Sequence, residues 1–232
     1  MKRFFKTLFK IMGLVILVGY LIPERKAMPC CSPADYNHES FWHWPWTRGE
    51  SGHPHTGVDI FGRVGAPVSS QTGGLVIYAK QMPGKAGNSV FVLGPKWRIH
   101  EYLHLNTIDC SVMDFVKPGE LIGTLGKSGN AASTPAHVHY GIITPIPYVW
   151  KAFSDEGTCN PPERFNWRLM FWLDPADHLP ALLPAADAVA HRHRYHCHRS
   201  VRHQGSHPDP GATRYYQDVL RGQYHCGLSA RF

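Results

Sequence analysis

His55-Thr-Gly-Val-Asp59, taken together with His137-Val-His139 further along, is the stretch from which the architecture of this chain can be read. Imidazole nitrogens and carboxylate oxygens are ordinary protein ligands for Zn²⁺, and a catalytic centre needs only three of them, leaving a fourth position open. His55 and Asp59 are four apart, a spacing that puts both on one side of a helix or of an extended strand. Pro54, Gly57 and the apolar alternation at Val58 and Phe61 favour the strand. His137 and His139 are two apart, which on a strand is one face. The following Tyr140-Gly-Ile-Ile is too β-branched and glycine-broken for a helix. Two extended pieces, each offering metal-binding groups to one side, predict a groove in a β-sheet with a metal at its floor.

Outward from these motifs, residues 51–143 alternate short β-prone runs with turn signals. Leu75 to Lys80, Ser89 to Leu93, Arg98 to Leu103, Glu120 to Leu125 and His137 to Ile143 are the expected strands. Gly73-Gly, Pro83-Gly-Lys, Gly94-Pro, Lys117-Pro-Gly and Ser128-Gly-Asn separate them. Connections this short leave no room for βαβ crossovers and imply antiparallel pairing. The expected fold class is mainly β. An antiparallel β-sheet groove domain follows an N-terminal transmembrane helix, carries a short helical insert and ends in a disordered tail.

The motifs resemble those of the lysostaphin-type (LytM-like) peptidoglycan zinc endopeptidases. That family's signature is H-x-x-x-D, then Y-x-H-L, then H-x-H, and this chain has His55 to Asp59, Tyr102-Leu-His104-Leu and His137 to His139 in that order. Gly65-Ala-Pro-Val, Gly74-Leu-Val-Ile-Tyr, Gly87-Asn-Ser-Val and Val116-Lys-Pro-Gly-Glu-Leu-Ile-Gly are family-like connecting pieces. The resemblance spans residues 44–143, with Leu173-Asp-Pro175 as the closing strand. It implies that His55, Asp59 and His139 bind one Zn²⁺, while His104 and His137 match the family's non-ligand catalytic histidines. Such an ion lowers the pKa of bound water toward ~7 and polarises a scissile carbonyl, and histidine suits proton transfer near neutral pH. A lone histidine in a strand is more often a packing residue; five groups in the family's order point to a site. His53 and His100 match no motif position and are read as structural, and Tyr102 is expected to pack.

The 232 residues carry a net charge of +7, with a pI near 9.2. A basic balance suits nucleic acid, an anionic membrane or an acidic polymer. No basic stripe interleaved with stacking aromatics is present, which sets nucleic acid aside. Residues 1–27 read as a signal anchor or signal peptide: Lys2, Arg3, Lys6 and Lys10 precede the apolar run Ile11 to Ile22. Pro23-Glu-Arg-Lys stands where a cleavage site needs small residues, so the uncleaved inner-membrane anchor is favoured, with the catalytic domain in the periplasm. Residues 28–50 form a linker and edge segment whose Phe41-Trp-His-Trp-Pro-Trp46 is expected to pack at the sheet edge. Residues 51–180 make up the zinc peptidase domain.

Within it, residues 145–172 depart from the family. Asn160-Pro-Pro-Glu is a helix start, with an Asn cap and Pro at the first helical position. Residues 181–232, with His191-Arg-His-Arg-Tyr-His-Cys-His198, form a His/Arg-rich tail expected to be disordered. Cys110 and Cys159 are candidates for a disulfide in an oxidising compartment. The expected partners are peptidoglycan peptide stems and the inner membrane, and the family also admits a protein activator. Two other function classes compete with the enzyme. A non-catalytic LytM-like regulator of another wall hydrolase usually lacks ligand residues, and none is missing here. A zinc-handling protein built on the histidine tail would bind several metals per chain.

Overall fold

In the computed structural model, residues 2–30, 35–36, 41–42, 54–153 and 166–180 are described. Helix α1 (Lys2–Leu21) is followed by strands β1 (Asp35–Tyr36), β2 (Gly57–Phe61), β3 (Pro67–Ser69), β4 (Gly74–Met82), β5 (Gly87–Leu93), β6 (Ile99–Leu105), β7 (Thr107–Ile108), β8 (Phe115–Val116), β9 (Leu121–Thr124), β10 (His137–Ile143) and β11 (Trp172–Leu173). The large sheet runs β1-β2-β10-β6-β5-β4-β8, with β11 also paired to β10. A smaller sheet runs β3-β9-β7. Every strand pairing among the described residues is antiparallel, as the short connections require.

Strand alternation sorts side chains into two faces. Val58 and Ile60 of β2, Val90 and Val92 of β5, Tyr102 of β6, and Val138, Tyr140 and Ile142 of β10 have no solvent exposure. They form the core with Val68 and Ile122 of the smaller sheet. Burying each such side chain contributes ~1.5–3 kcal/mol. On the opposite parity of β2 and β10 stand Asp59, His137 and His139, with His139 paired to Asp59 on one side and Leu103 on the other. The sheet therefore has an apolar face that holds it together and a polar face that carries the motifs.

Tyr102 packs as expected. Its buried hydroxyl accepts the Gln71 backbone N–H at 2.7 Å, so it is spent on the core. His100, also read as structural, is fully buried and its Nδ1 lies 2.8 Å from the Tyr140 hydroxyl. Leu173 pairs with Ile142, the closing strand expected at Leu173-Asp-Pro175. The described part of the insert is helical, in short 3₁₀ form. Trp167–Phe171 is a 3₁₀ turn, capped by Asn166, whose side chain accepts the Arg168 N–H. Cys110 is a free thiol, its Sγ 3.7 Å from the Ile122 carbonyl. Its suggested partner Cys159, the helix start at residue 160, His53, the Trp44-Pro-Trp46 edge and the tail from residue 181 lie outside the described residues.

α1 is long and apolar enough to cross a membrane. Its end is joined to the domain without slack. The Trp97 indole donates to the Ile16 carbonyl at 3.1 Å, Arg98 donates to Glu24 at 2.8 Å, and the Ala27 N–H reaches the Gln71 carbonyl at 2.8 Å.

Candidate metal centre

The polar face of β2, β10 and β6 brings together all five residues singled out from the sequence. His55 precedes β2, and its Nε2 lies 3.1 Å from Asp59 Oδ1 and 3.0 Å from His139 Nδ1. His139 Nδ1 lies 3.0 Å from the same Asp59 oxygen. Three donor atoms, from β2, from the residue pair leading into it and from β10, thus converge on one point. In a tetrahedral zinc centre with bonds of ~2.0–2.1 Å, donors sit about 3.3 Å apart. A small outward adjustment fits this triad to such an ion. Two imidazoles and one carboxylate are also the donor types such an ion takes.

The remaining two histidines flank the triad. His137 Nε2 is 3.9 Å from Asp59 Oδ1, and the His104 ring centroid is 5.0 Å from that of His137 and 6.1 Å from that of His139. Parity alone would not deliver His104 here: His100 and Tyr102 of the same strand point into the core, and His104 is two residues on. Between the Asn88–Leu105 and Val90–Tyr102 pairs, β6 has one residue more than β5. That bulge turns the next side chain to the other face. His104 takes φ of 65° to do so, a left-handed conformation that costs a non-glycine residue ~1–3 kcal/mol and clusters at functional sites.

Each flanking ring has a fixed proton. His104 Nδ1 faces the Ser128 carbonyl at 3.0 Å and His137 Nδ1 the Pro135 carbonyl at 2.8 Å. A carbonyl only accepts, so both Nδ1 atoms donate, and in each neutral ring Nε2 keeps the free lone pair. Burial, reinforced by the neighbouring His139 and His137, lowers the His104 pKa to about 4. It is therefore neutral near pH 7. Burial opposes charge on Asp59, but the His55 charge and the hydrogen bonds from His139 and His55 outweigh it and hold the carboxyl well below its usual range. Burial lowers His139, against its hydrogen bond to Asp59. The triad thus pairs an anionic Asp59 carboxylate with a His139 ring biased toward neutrality, and metal binding needs both of these ligands in those forms.

One residue of this face was missed from the sequence. Glu101 of β6 is 5% exposed, its Oε1 is 3.9 Å from His139 Nε2, and burial pushes its pKa up to about 7. The signal was available, since 101 and 103 share a parity in β6, but no motif position drew attention to it.

Known proteins resemble the part of the chain that carries this site. The sequence pattern of Peptidase family M23 matches residues 53–149. Lysostaphin of Staphylococcus simulans is 27% identical over 144 residues, covering 56% of this chain and 29% of that protein. The L-Ala–D-Glu endopeptidase of Bacillus subtilis (strain 168) is 32% identical over 132 residues, 53% of this chain and 40% of that protein. The chain therefore spans less than half the length of these curated relatives. The crystallised catalytic domain of Staphylococcus simulans lysostaphin matches with a TM-score of 0.47 at 22% identity, over 63% of this chain and 92% of that one. Residues 53–149 are thus a Peptidase family M23 domain, similar to those of lysostaphin and the LytM-like endopeptidases.

Proposed function

We propose that this domain is a zinc metalloendopeptidase that hydrolyses peptide cross-links of bacterial peptidoglycan. The zinc peptidase domain is read as residues 51–180, held outside the cytoplasmic membrane by α1. His55, Asp59 and His139 hold the ion; His104 and His137 move protons. The observation that carries this reading is the meeting of three donor atoms within 3.1 Å of one another, beside two histidines whose Nδ1 protons are tied to backbone carbonyls.

A zinc ion in this triad supplies Lewis acidity toward a scissile carbonyl and lowers the pKa of water to ~7. The chain's own groups do the rest. Asp59 brings the one negative charge and the imidazoles stay neutral, so the loaded site keeps net positive charge to set against a developing oxyanion. His104 and His137 start as acceptors at Nε2. After taking a proton either becomes a donor, able to hand it to the departing amine. The Nδ1 hydrogen bonds hold both rings in the orientation that makes this exchange repeatable.

The test is digestion of purified sacculi by the full-length protein, with and without chelator. Non-cross-linked muropeptides should appear, vanish on chelation and return with added zinc. Release that survives chelation goes against the proposal. A protein that holds zinc but releases nothing is instead the regulator of another hydrolase.

A further inference from the structure

We propose that Glu101 is a positioning residue for the metal ligand His139, its carboxylate fixing the tautomer and tilt that present Nδ1 to the ion. This rests on the metal-binding reading above. The His139 ring has two distinct edges. Nδ1 faces His55 and Asp59 at 3.0 Å from each. Nε2, on the far edge, faces Glu101 Oε1 at 3.9 Å. A neutral imidazole that gives its Nδ1 lone pair to a metal must carry its proton on Nε2. A carboxyl oxygen beyond Nε2 favours that form, and ligating histidines commonly lean on such an outer carboxyl group.

The sheet is built to allow this approach. Gly141 of β10 pairs with Gly57 on one side and Glu101 on the other. A Cβ at Gly141 would stand 2.4 Å from Glu101 Oε1, and one at Gly57 would stand 2.6 Å from His139 Nε2. Two adjacent strands thus give up their side chains on one rung. The His139 ring occupies the hollow from the neighbouring rung, and the Glu101 carboxylate occupies it from the neighbouring strand. A carboxyl group 5% exposed is costly to bury, and the group its Oε1 faces is the ligand ring.

The experiment uses the full-length chain in detergent. Zinc affinity is measured by competition with a chromophoric chelator, coordination by the visible spectrum of the cobalt-loaded protein, and folding by thermal unfolding of the metal-free form. Glu101→Ala should weaken zinc binding ~10–100-fold and shift the cobalt bands, while the metal-free protein unfolds no earlier than wild type. Glu101→Gln keeps a neutral acceptor for the Nε2 proton and should recover part of the affinity, a graded rescue that a purely structural role would not give. Zinc affinity within twofold of wild type in Glu101→Ala, with unchanged cobalt bands, overturns the proposal alone. A wild-type chain that holds no zinc overturns the metal reading and this one together.

Discussion

Replacing Gly57 with alanine adds one methyl group at the place where the metal site and the sheet share space. The new Cβ would lie 2.4 Å from the Tyr140 carbonyl oxygen, 2.6 Å from His139 Nε2 and 2.8 Å from His139 Cε1. Comfortable contact begins near ~3.5 Å, so each neighbour must retreat by roughly an ångström. The imidazole can swing on its side-chain bonds. The Tyr140 carbonyl is part of the backbone of β10, so relief there means parting β10 from β2. Overpacking of this kind costs ~1–3 kcal/mol. In the metal-free protein much of that strain relaxes as the ring tilts away from Asp59. Binding an ion requires the ring to return, and the strain then appears as lost affinity, about 5–150-fold for that range. Chelator competition reads the affinity, and urea unfolding of the metal-free protein reads the residual strain. An alanine variant with zinc affinity within twofold of wild type and an unchanged urea midpoint would refute the reasoning, because it would mean the close rung is not tight.

Further outcomes separate the roles assigned to the five site residues and to the core. Asp59→Ala should lose metal and activity together, whereas His104→Ala should keep the metal and lose rate by about 10²–10⁴-fold; equal metal loss in the two, by metal analysis of the purified variants, would show that ligand and proton carrier are wrongly sorted. His100 is held neutral, its pKa lowered from 6.5 to about 3 by burial and by the nearby His178, Arg98 and Lys26. The unfolded chain takes up that proton before the folded one does, so stability is full above pH 6.5 and declines as pH falls toward about 3, at up to ~1.4 kcal/mol per pH unit. Urea unfolding of the chelated protein at pH 7.5 and 5 should therefore show about 2 kcal/mol of loss from this group, and His100→Gln should remove that part; an unchanged difference would sink the claim. Tyr102→Phe strands the buried Gln71 N–H that now reaches the hydroxyl at 2.7 Å, and should cost ~1–3 kcal/mol with zinc affinity unaltered.

Most of the sheet and the candidate site was legible in the sequence because both rest on short-range periodicity. His137 to Ile143 was read as one strand and is one, since its β-branched and aromatic residues alternate between a buried face and the face with the histidines. The two one-face spacings set metal-binding groups on one side of each strand, and the resemblance singled out residues 55, 59 and 139 among them. The position of His104 was legible only by resemblance: its parity in β6 points inward, and a bulge that no local residue announces turns it outward. Glu101 escaped because its strand parity alone does not single it out, and the two glycines that make room for it lie in other strands. The seat of Glu24 against Arg98, 74 residues away, is equally non-local, and a charged residue after an apolar run looks like an ordinary membrane flank.

That seat has a consequence for where the proposed enzyme can work. Residues 22–30, played out as free chain, would give a leash of roughly 30 Å. Here they are stitched down instead, by Glu24 to Arg98 at 2.8 Å, by Ala27 to Gln71 at 2.8 Å and by the Ser69 N–H to the Pro29 carbonyl at 2.6 Å. If α1 spans a bilayer, these bonds keep the candidate metal centre within about one domain's depth of the membrane surface while they hold.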